Sequence, residues 1–371
     1  MMDILSELTS RADQAEVVEF KSESTQVGFE SNRLKSSQVE ERQGIAVRVV
    51  REGKLGFAAS SDERALERLA DNAIASAAFG DEIPMAFPGP QPASEVVTYD
   101  QAIVDLPIPR LVEIGQEIID LIRQVEPDAL VGVEIERGIQ QLTIRNHAGT
   151  QVSFQQSPLA VSAEISRVKG DDVLLMYDVT GTTIWQKEYA AMAKSLAAKL
   201  EQAKKSATCS SGRMPVLLSP TGALVLGLPM MQALNGKSVY TGISPMAGKI
   251  GQKLFSDKIT VEDDATIDGR FASAAYDDEG VAHRRNTLIQ EGVLQGFLYD
   301  LKTAAQSGVE STGNGSRGLF SPPSPSPSNL VFGAGETPLA EMIAGIDEGL
   351  LIENVLGLGQ GNVISGDFSN S

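Results

Sequence analysis

Few residues in this chain could do nucleophilic or metal chemistry. Two histidines, His147 and His283, and one cysteine, Cys209, occur among 371 residues. That set cannot supply a four-ligand structural zinc site, and a lone cysteine forms no internal disulfide. Catalytic zinc often takes two histidines one helical turn apart, whereas these two are distant in sequence, one in a turn and one beside a strand. Cys209 sits in a polar break near Lys204 and Lys205, which would lower a thiol pKa. With no histidine close by, it reads as a linker cysteine. No serine stands in Gly-x-Ser-x-Gly. The run Leu356-Gly357-Leu358-Gly359-Gln360-Gly361-Asn362 matches a dinucleotide fingerprint only loosely, because no helix follows it. Its glycines read as turns and close-packed strand positions. Carboxylates are the abundant chemical group. Asp257, Glu262, Asp263, Asp264, Asp268, Asp277, Asp278 and Glu279 face only Lys258 and Arg270. An oxygen-ligand cation site, or a hydrolase using Asp277 and Asp278, is the chemistry open to such a stretch. Its spacing is not that of an EF-hand, and a solvated acidic face is the expectation.

Composition narrows the class. Lys plus Arg is 31 against 49 Asp plus Glu, a net charge of −18. That balance argues against coating a nucleic-acid duplex, which needs cations to displace counterions. Hydrophobic residues make up 42%, enough for a core. No apolar run is long enough to span a membrane, and the N-terminus lacks the apolar segment of a signal peptide. A soluble cytoplasmic protein of two domains is the expectation.

The elements follow from hydrophobic period. Residues 3–13 read as a short helix, with Ile4, Leu5 and Leu8 on one side. Val17, Phe20, Val27, Phe29, Leu34 and Val39 alternate with polar residues, as in strands with one wet face. Gly44 to Val50 is a more apolar strand, turning at Arg51–Lys54 and returning over Leu55–Ser60. Ser61 or Asp62 caps a helix carrying Leu66, Leu69, Ala73, Ile74 and Ala77. A connector at 80–96 holds Pro84, Pro88, Pro90 and Pro92. A helix over Leu111–Val125 follows, then five short strands within 129–183, then a helix over 186–205. A boundary near Cys209 divides an N-terminal domain, 1–209, from a C-terminal domain, 210–371. The latter opens on a buried strand at Val216–Leu218 and an apolar helix, capped by Thr221, that runs to Leu234. Ser321 to Ser328 is a proline-serine stretch of extended character. The fold class is α+β: an antiparallel sheet with helices first, a mainly β domain second.

The C-terminal segments carry a specific pattern. Tyr276-Asp277-Asp278-Glu279-Gly280-Val281-Ala282-His283-Arg284-Arg285-Asn286 is followed by Gly296-Phe297-Leu298-Tyr299-Asp300, by Gly308 and by Ser311-Thr312-Gly313-Asn314. Pro325 to Val331 and Gly357 to Ser369 continue it. This resembles the TldD/PmbA family, whose members are also described as modulators of DNA gyrase, and Ala15 to Asp62 is similar to that family's first domain. The resemblance implies a two-domain, dimeric α+β protein concerned with proteolysis of peptides.

The family's catalytic branch, TldD, carries a zinc-binding His-Glu-x-x-x-His helix. Anchored on Asn235-Gly236 and on Gly242, Gly248 and Gly251, its histidine positions fall at Gly227 and Gln232, and its glutamate at Leu228. All three groups are missing here. The resemblance therefore implies the PmbA (TldE) branch: no catalytic residue, no metal held by this chain, and zinc in a catalytic partner. The expected partners are a TldD-like subunit in a heterodimer, or a second copy in a homodimer, and an extended or unfolded peptide, with no nucleic acid and no membrane. Arg285, Asn286, Asp300 and Asn314 are candidates for a substrate groove, the other reading being that they tie turns and strand ends together. The other functional reading is a regulatory protein of the gyrase-modulator type with no protease partner. Family members continue beyond Gly366-Asp367-Phe368-Ser369, so the resemblance also implies an incomplete C-terminal domain.

Overall fold

The computed structural model describes residues 3–62, 64–170, 172–205, 207–357 and 362. Helix α1 (Ile4–Thr9) starts at Asp3, whose carboxylate accepts from Leu5 N. Three strands follow: β1 (Gln14–Glu30), β2 (Arg33–Arg51) and β3 (Lys54–Ser60). The β1–β2 turn places Ser31 and Asn32 at φ 49° and 69°, a conformation Asn tolerates because its short side chain bonds locally. Here Asn32 bonds across to Val131 N and Ala129 O.

Helix α2 (Leu66–Ala77) begins at Ala65 with no side-chain cap. The expected cap at Ser61 or Asp62 is corrected, because Asp62 spends its carboxylate on Arg64 N within the preceding turn. After the proline-rich connector come α3 (Gln101–Val104) and α4 (Ile108–Val125). Then follow β4 (Leu130–Asn146), β5 (Gln151–Gln156), β6 (Leu159–Lys169), β7 (Asp172–Thr182) and α5 (Glu188–Gln202). The five strands expected between 129 and 183 are thus four. Residues 131–136 and 141–145 belong to one strand that runs through Gly138 and changes neighbour there, pairing with β6 before it and β5 after it.

Among the described residues these strands make a seven-stranded antiparallel sheet in the order β3-β2-β1-β4-β6-β7, with β5 beside β4. Odd-numbered residues of β1, β4 and β6 face the helices. Val27, Val131, Ile135 and Ile165 meet Ile114, Ile118 and Ile122 of α4 and Leu196 and Leu200 of α5. At the other end Val17, Val47 and Val49 meet Leu69, Ala73 and Ala77 of α2. Each buried aliphatic side chain contributes about 1.5–3 kcal/mol of transfer free energy. Gly56 of β3 lets α2 come this close, since a Cβ there would stand 2.3 Å from Ala73 O.

The opposite, even-numbered face is where the second half of the chain docks. That half carries β8 (Val216–Leu218), α6 (Leu224–Ala233), α7 (Gly236–Tyr240), β9 (Val261–Asp264), β10 (Arg285–Gln290), β11 (Val293–Leu294) and α8 (Leu301–Ser307). It ends with β12 (Gly315–Ser316), β13 (Ser324–Pro325), β14 (Leu330–Phe332), α9 (Leu339–Ala344) and β15 (Leu350–Ile352). A four-stranded sheet, β11-β10-β9-β14, encloses Val261, Leu288, Ile289 and Leu294 with Leu234 and Leu298. β8 is not the buried strand expected: among the described residues it pairs only with β15, and Val216 is largely exposed. Nor does Thr221 cap α6. The N-cap is Ala223, and the Thr221 hydroxyl reaches Asp178 Oδ1 at 3.3 Å. The glycine-rich run from Leu356 and the pattern from Gly357 to Ser369 lie almost wholly outside the described residues. No described helix is long and apolar enough to cross a membrane.

Candidate functional site

The positions that the sequence resemblance assigns to zinc ligands lie on α6. Gly227 is buried, and a Cβ built there would meet nothing within 4 Å. Leu228 turns outward, 39% exposed. Gln232 donates its amide to Ser238 Oγ at 2.7 Å. Zinc requires imidazole, thiolate or carboxylate donors. Hydrogen, an isobutyl group and an engaged amide provide none, so these residues do not fit the metal. Among the described residues no three His, Cys, Asp or Glu side chains gather as a metal site. His147 lies in an exposed turn, edge-on to Phe87 at 6.1 Å between ring centroids. Burial lowers the His283 pKa to about 4, against a small opposing effect from the Gly313 backbone. His283 is therefore neutral at pH 7.

The concentrated charge lies at the junction of the two halves. Arg48 of β2 is 1% exposed and grips Glu16 of β1 with two donors, Nε to Oε1 at 3.0 Å and Nη2 to Oε2. Its Nη1 donates to Glu279, which belongs to the second half. Arg317, also of that half, donates to Glu16 and to the Asp278 carbonyl. Glu279 further accepts from Leu301 N at 2.7 Å, at the start of α8. The guanidinium of Arg48 also lies 5.0 Å from the Phe87 ring centroid, close enough for cation–π attraction.

Charge states follow from this geometry. Burial pushes the Glu16 carboxyl up, but Arg317 and Arg48 outweigh it and hold it below the usual range. For Glu279 burial prevails over Arg48, and its pKa is raised. Asp277 is raised well above normal by burial and then by the Glu279 charge, although three backbone N–H groups, of Glu279, Val281 and Gly315, donate to it. The solvated acidic face expected for 257–279 is therefore corrected. Asp263, Asp264, Asp277 and Glu279 are buried and hydrogen-bonded, the first three to groups of the second half and Glu279 also to Arg48 of the first.

The four groove candidates separate into three settings. Arg285 of β10 is exposed and donates to Asp264 at 2.9 Å. Asp300 is buried and caps α8, its Oδ1 accepting from Thr303 N and Oγ1. Asn286 and Asn314 come together, Asn286 Nδ2 donating to Asn314 Oδ1 at 3.2 Å. Asn314 in turn donates to buried Asp263 at 2.7 Å, beside Ser328. Burial raises the Asp263 pKa, and those donors oppose the rise.

Sequence reasoning missed the junction group of Glu16, Arg48, Glu279 and Arg317. One signal was available: Arg48 interrupts the apolar run Ile45-Ala46-Val47-Arg48-Val49-Val50, and Glu16 precedes Val17-Val18. A charge inside a strand of that kind is either on a wet face or paired in a buried one.

Comparison with known proteins places this geometry. The profile of the PmbA/TldA metallopeptidase C-terminal domain matches residues 211–371, and that of PmbA/TldA metallopeptidase domain 1 matches residues 15–77. An uncharacterised protein of Methanocaldococcus jannaschii is 31% identical over 96% of this chain and 82% of its own. A metalloprotease TldD homolog of Haemophilus influenzae is 36% identical over 43% of this chain and 33% of its own. The crystal structure of TldE from Thermococcus kodakarensis superposes with a TM-score of 0.87 and 24% identity, covering 95% of this chain and 82% of the other. That likeness shows a shared fold.

Proposed function

From the premise that this chain belongs to the PmbA/TldD metallopeptidase family, we propose that it is the non-catalytic subunit of a TldD/TldE-type protease. In this reading it docks beside a TldD-like subunit that holds the zinc, and it helps seat an extended peptide. One observation supports the reading: Gly227, Leu228 and Gln232, the positions to which the resemblance assigns the catalytic branch's two histidines and glutamate, offer no zinc ligand or general base. A member of a metallopeptidase family without ligands contributes binding rather than bond cleavage. The test is to mix the purified chain with a TldD-type subunit and a disordered peptide. Co-elution and faster cleavage are expected. A chain that neither co-elutes with that subunit nor changes cleavage is not its partner.

A further inference from the structure

A cleft of about 950 Å³ opens between the two halves of the chain. Phe57 of β3 and the Phe79–Glu82 turn after α2 form one wall, and Lys237 and Tyr240 of α7 with Lys302 of α8 form the other. The Ser321–Pro325 stretch completes the lining. Lys302 Nζ donates to Asp81 at 2.6 Å, so one ion pair joins the walls.

Two features of this cleft are not used by the fold. Phe79 is 93% exposed and Tyr240 52%, so two aromatic surfaces that gain most from burial are left in water. The second is charge. The ionic groups lining the cleft are Arg48, Lys237 and Lys302 against Asp81, Glu82 and Asp300. Arg48 is held by Glu16 and Glu279, Lys302 pairs with Asp81, and Asp300 caps α8. Lys237 and Glu82 remain without an ionic partner among the described residues, one on each wall.

We propose that this cleft seats an extended peptide segment in which an aromatic or aliphatic side chain adjoins a carboxylate. The apolar side chain covers Phe79 and Tyr240, and the carboxylate pairs with Lys237. Glu82 disfavours a second acid on the opposite wall and accepts from peptide N–H groups. Pro322 and Pro323 reinforce this choice, because proline lacks an N–H and leaves that lining rich in acceptors. The inference rests on the partner-subunit reading for taking the ligand to be a peptide.

The test titrates the full chain into two fluorescein-labelled twelve-residue peptides, followed by anisotropy. Both share a Gly-Ser background, one carrying two Glu-Phe pairs and the other two Lys-Phe pairs. The Glu-Phe peptide binds more tightly. Phe79→Ala and Lys237→Glu each weaken it by roughly fivefold or more, the loss expected for an aromatic or charged anchor. Glu82→Lys tightens it. All three side chains are exposed, so melting temperatures stay at the wild-type value. Absent binding, equal binding of the two peptides, or indifference to both Phe79→Ala and Lys237→Glu overturns the proposal. Peptide binding that obeys these signs in a chain that never joins a TldD-type subunit would overturn the partner reading alone.

Discussion

Arg48→Met removes one of the cations that join the two halves while keeping the volume of its aliphatic stem. Glu16 retains Arg317 after the change, but among the described residues Glu279 retains only Leu301 N. The uncompensated charge therefore falls on Glu279, which is fully buried and already disfavoured by Asp300 and Glu16. Removing one member of a buried ion pair costs about 3–5 kcal/mol, and loss of the contact with Phe87 adds about 1 kcal/mol. For a chain of this size each kcal/mol lowers the melting temperature by about 2 °C, so a fall of roughly 10 °C is expected. The deficit depends on pH. Without Arg48 the folded-state pKa of Glu279 lies still further above its unfolded value of about 4.3. The folded state then binds more protons than the unfolded one, and stability returns as pH falls. Differential scanning fluorimetry at pH 8 and pH 5 should show a smaller deficit at pH 5, and Glu279→Gln in the Arg48→Met background should recover part of it at pH 8. A fall below about 2 °C, or one identical at both pH values and untouched by Glu279→Gln, would refute the assignment of the cost to a stranded carboxylate.

Three further outcomes follow from the same geometry. Gly56→Ala drives a methyl group into the Ala73 carbonyl and should cost about 1–3 kcal/mol in urea unfolding, whereas a loss under about 0.5 kcal/mol would mean that α2 moves aside freely. An NMR titration of the His283 ring should give a midpoint near 4. Because the folded pKa is depressed, the folded state binds fewer protons, so His283 adds stability above its unfolded pKa of about 6.5 that is lost as pH falls from there toward 4; a midpoint above 6 contradicts its burial. Asn314→Ala removes a donor from buried Asp263 and should cost about 1–3 kcal/mol, with Asn314→Asp costing more because two carboxylates would then meet; equal effects of the two would show that Asp263 is already neutral.

Much of the first half of the fold was legible in the sequence, because its elements are long and one-sided. The stripe of Ile114, Ile118 and Ile122 and the alternation along 131–135 and 161–165 mark a helix and strands whose single apolar face matches their burial. Caps were less legible, since Asp62 and Thr221 had tertiary or turn partners that no local rule displays. The unity of β4 was hidden by Gly138, which reads as a turn yet sits where one strand changes neighbours. In the second half the strands run two to six residues, too short to show a period. The acidic stretch misled for a different reason. Asp277, Asp263 and Glu279 each accept from a group 38, 51 or 231 positions away, and local charge density carries no trace of such partners.

The bond between Arg317 and Glu16 closes a loop of 301 positions. On a ribosome adding about 5–20 residues per second, Glu16 waits about 15–60 s for that guanidinium to be made. During that interval Glu16 and Arg48 hold each other on β1 and β2 first without Glu279 and then without Arg317, the two second-half residues that bond them. The nascent N-terminal half thus leaves the ribosome as a half-roofed sheet, open to chaperones and proteases until the segment ending in Arg317 arrives.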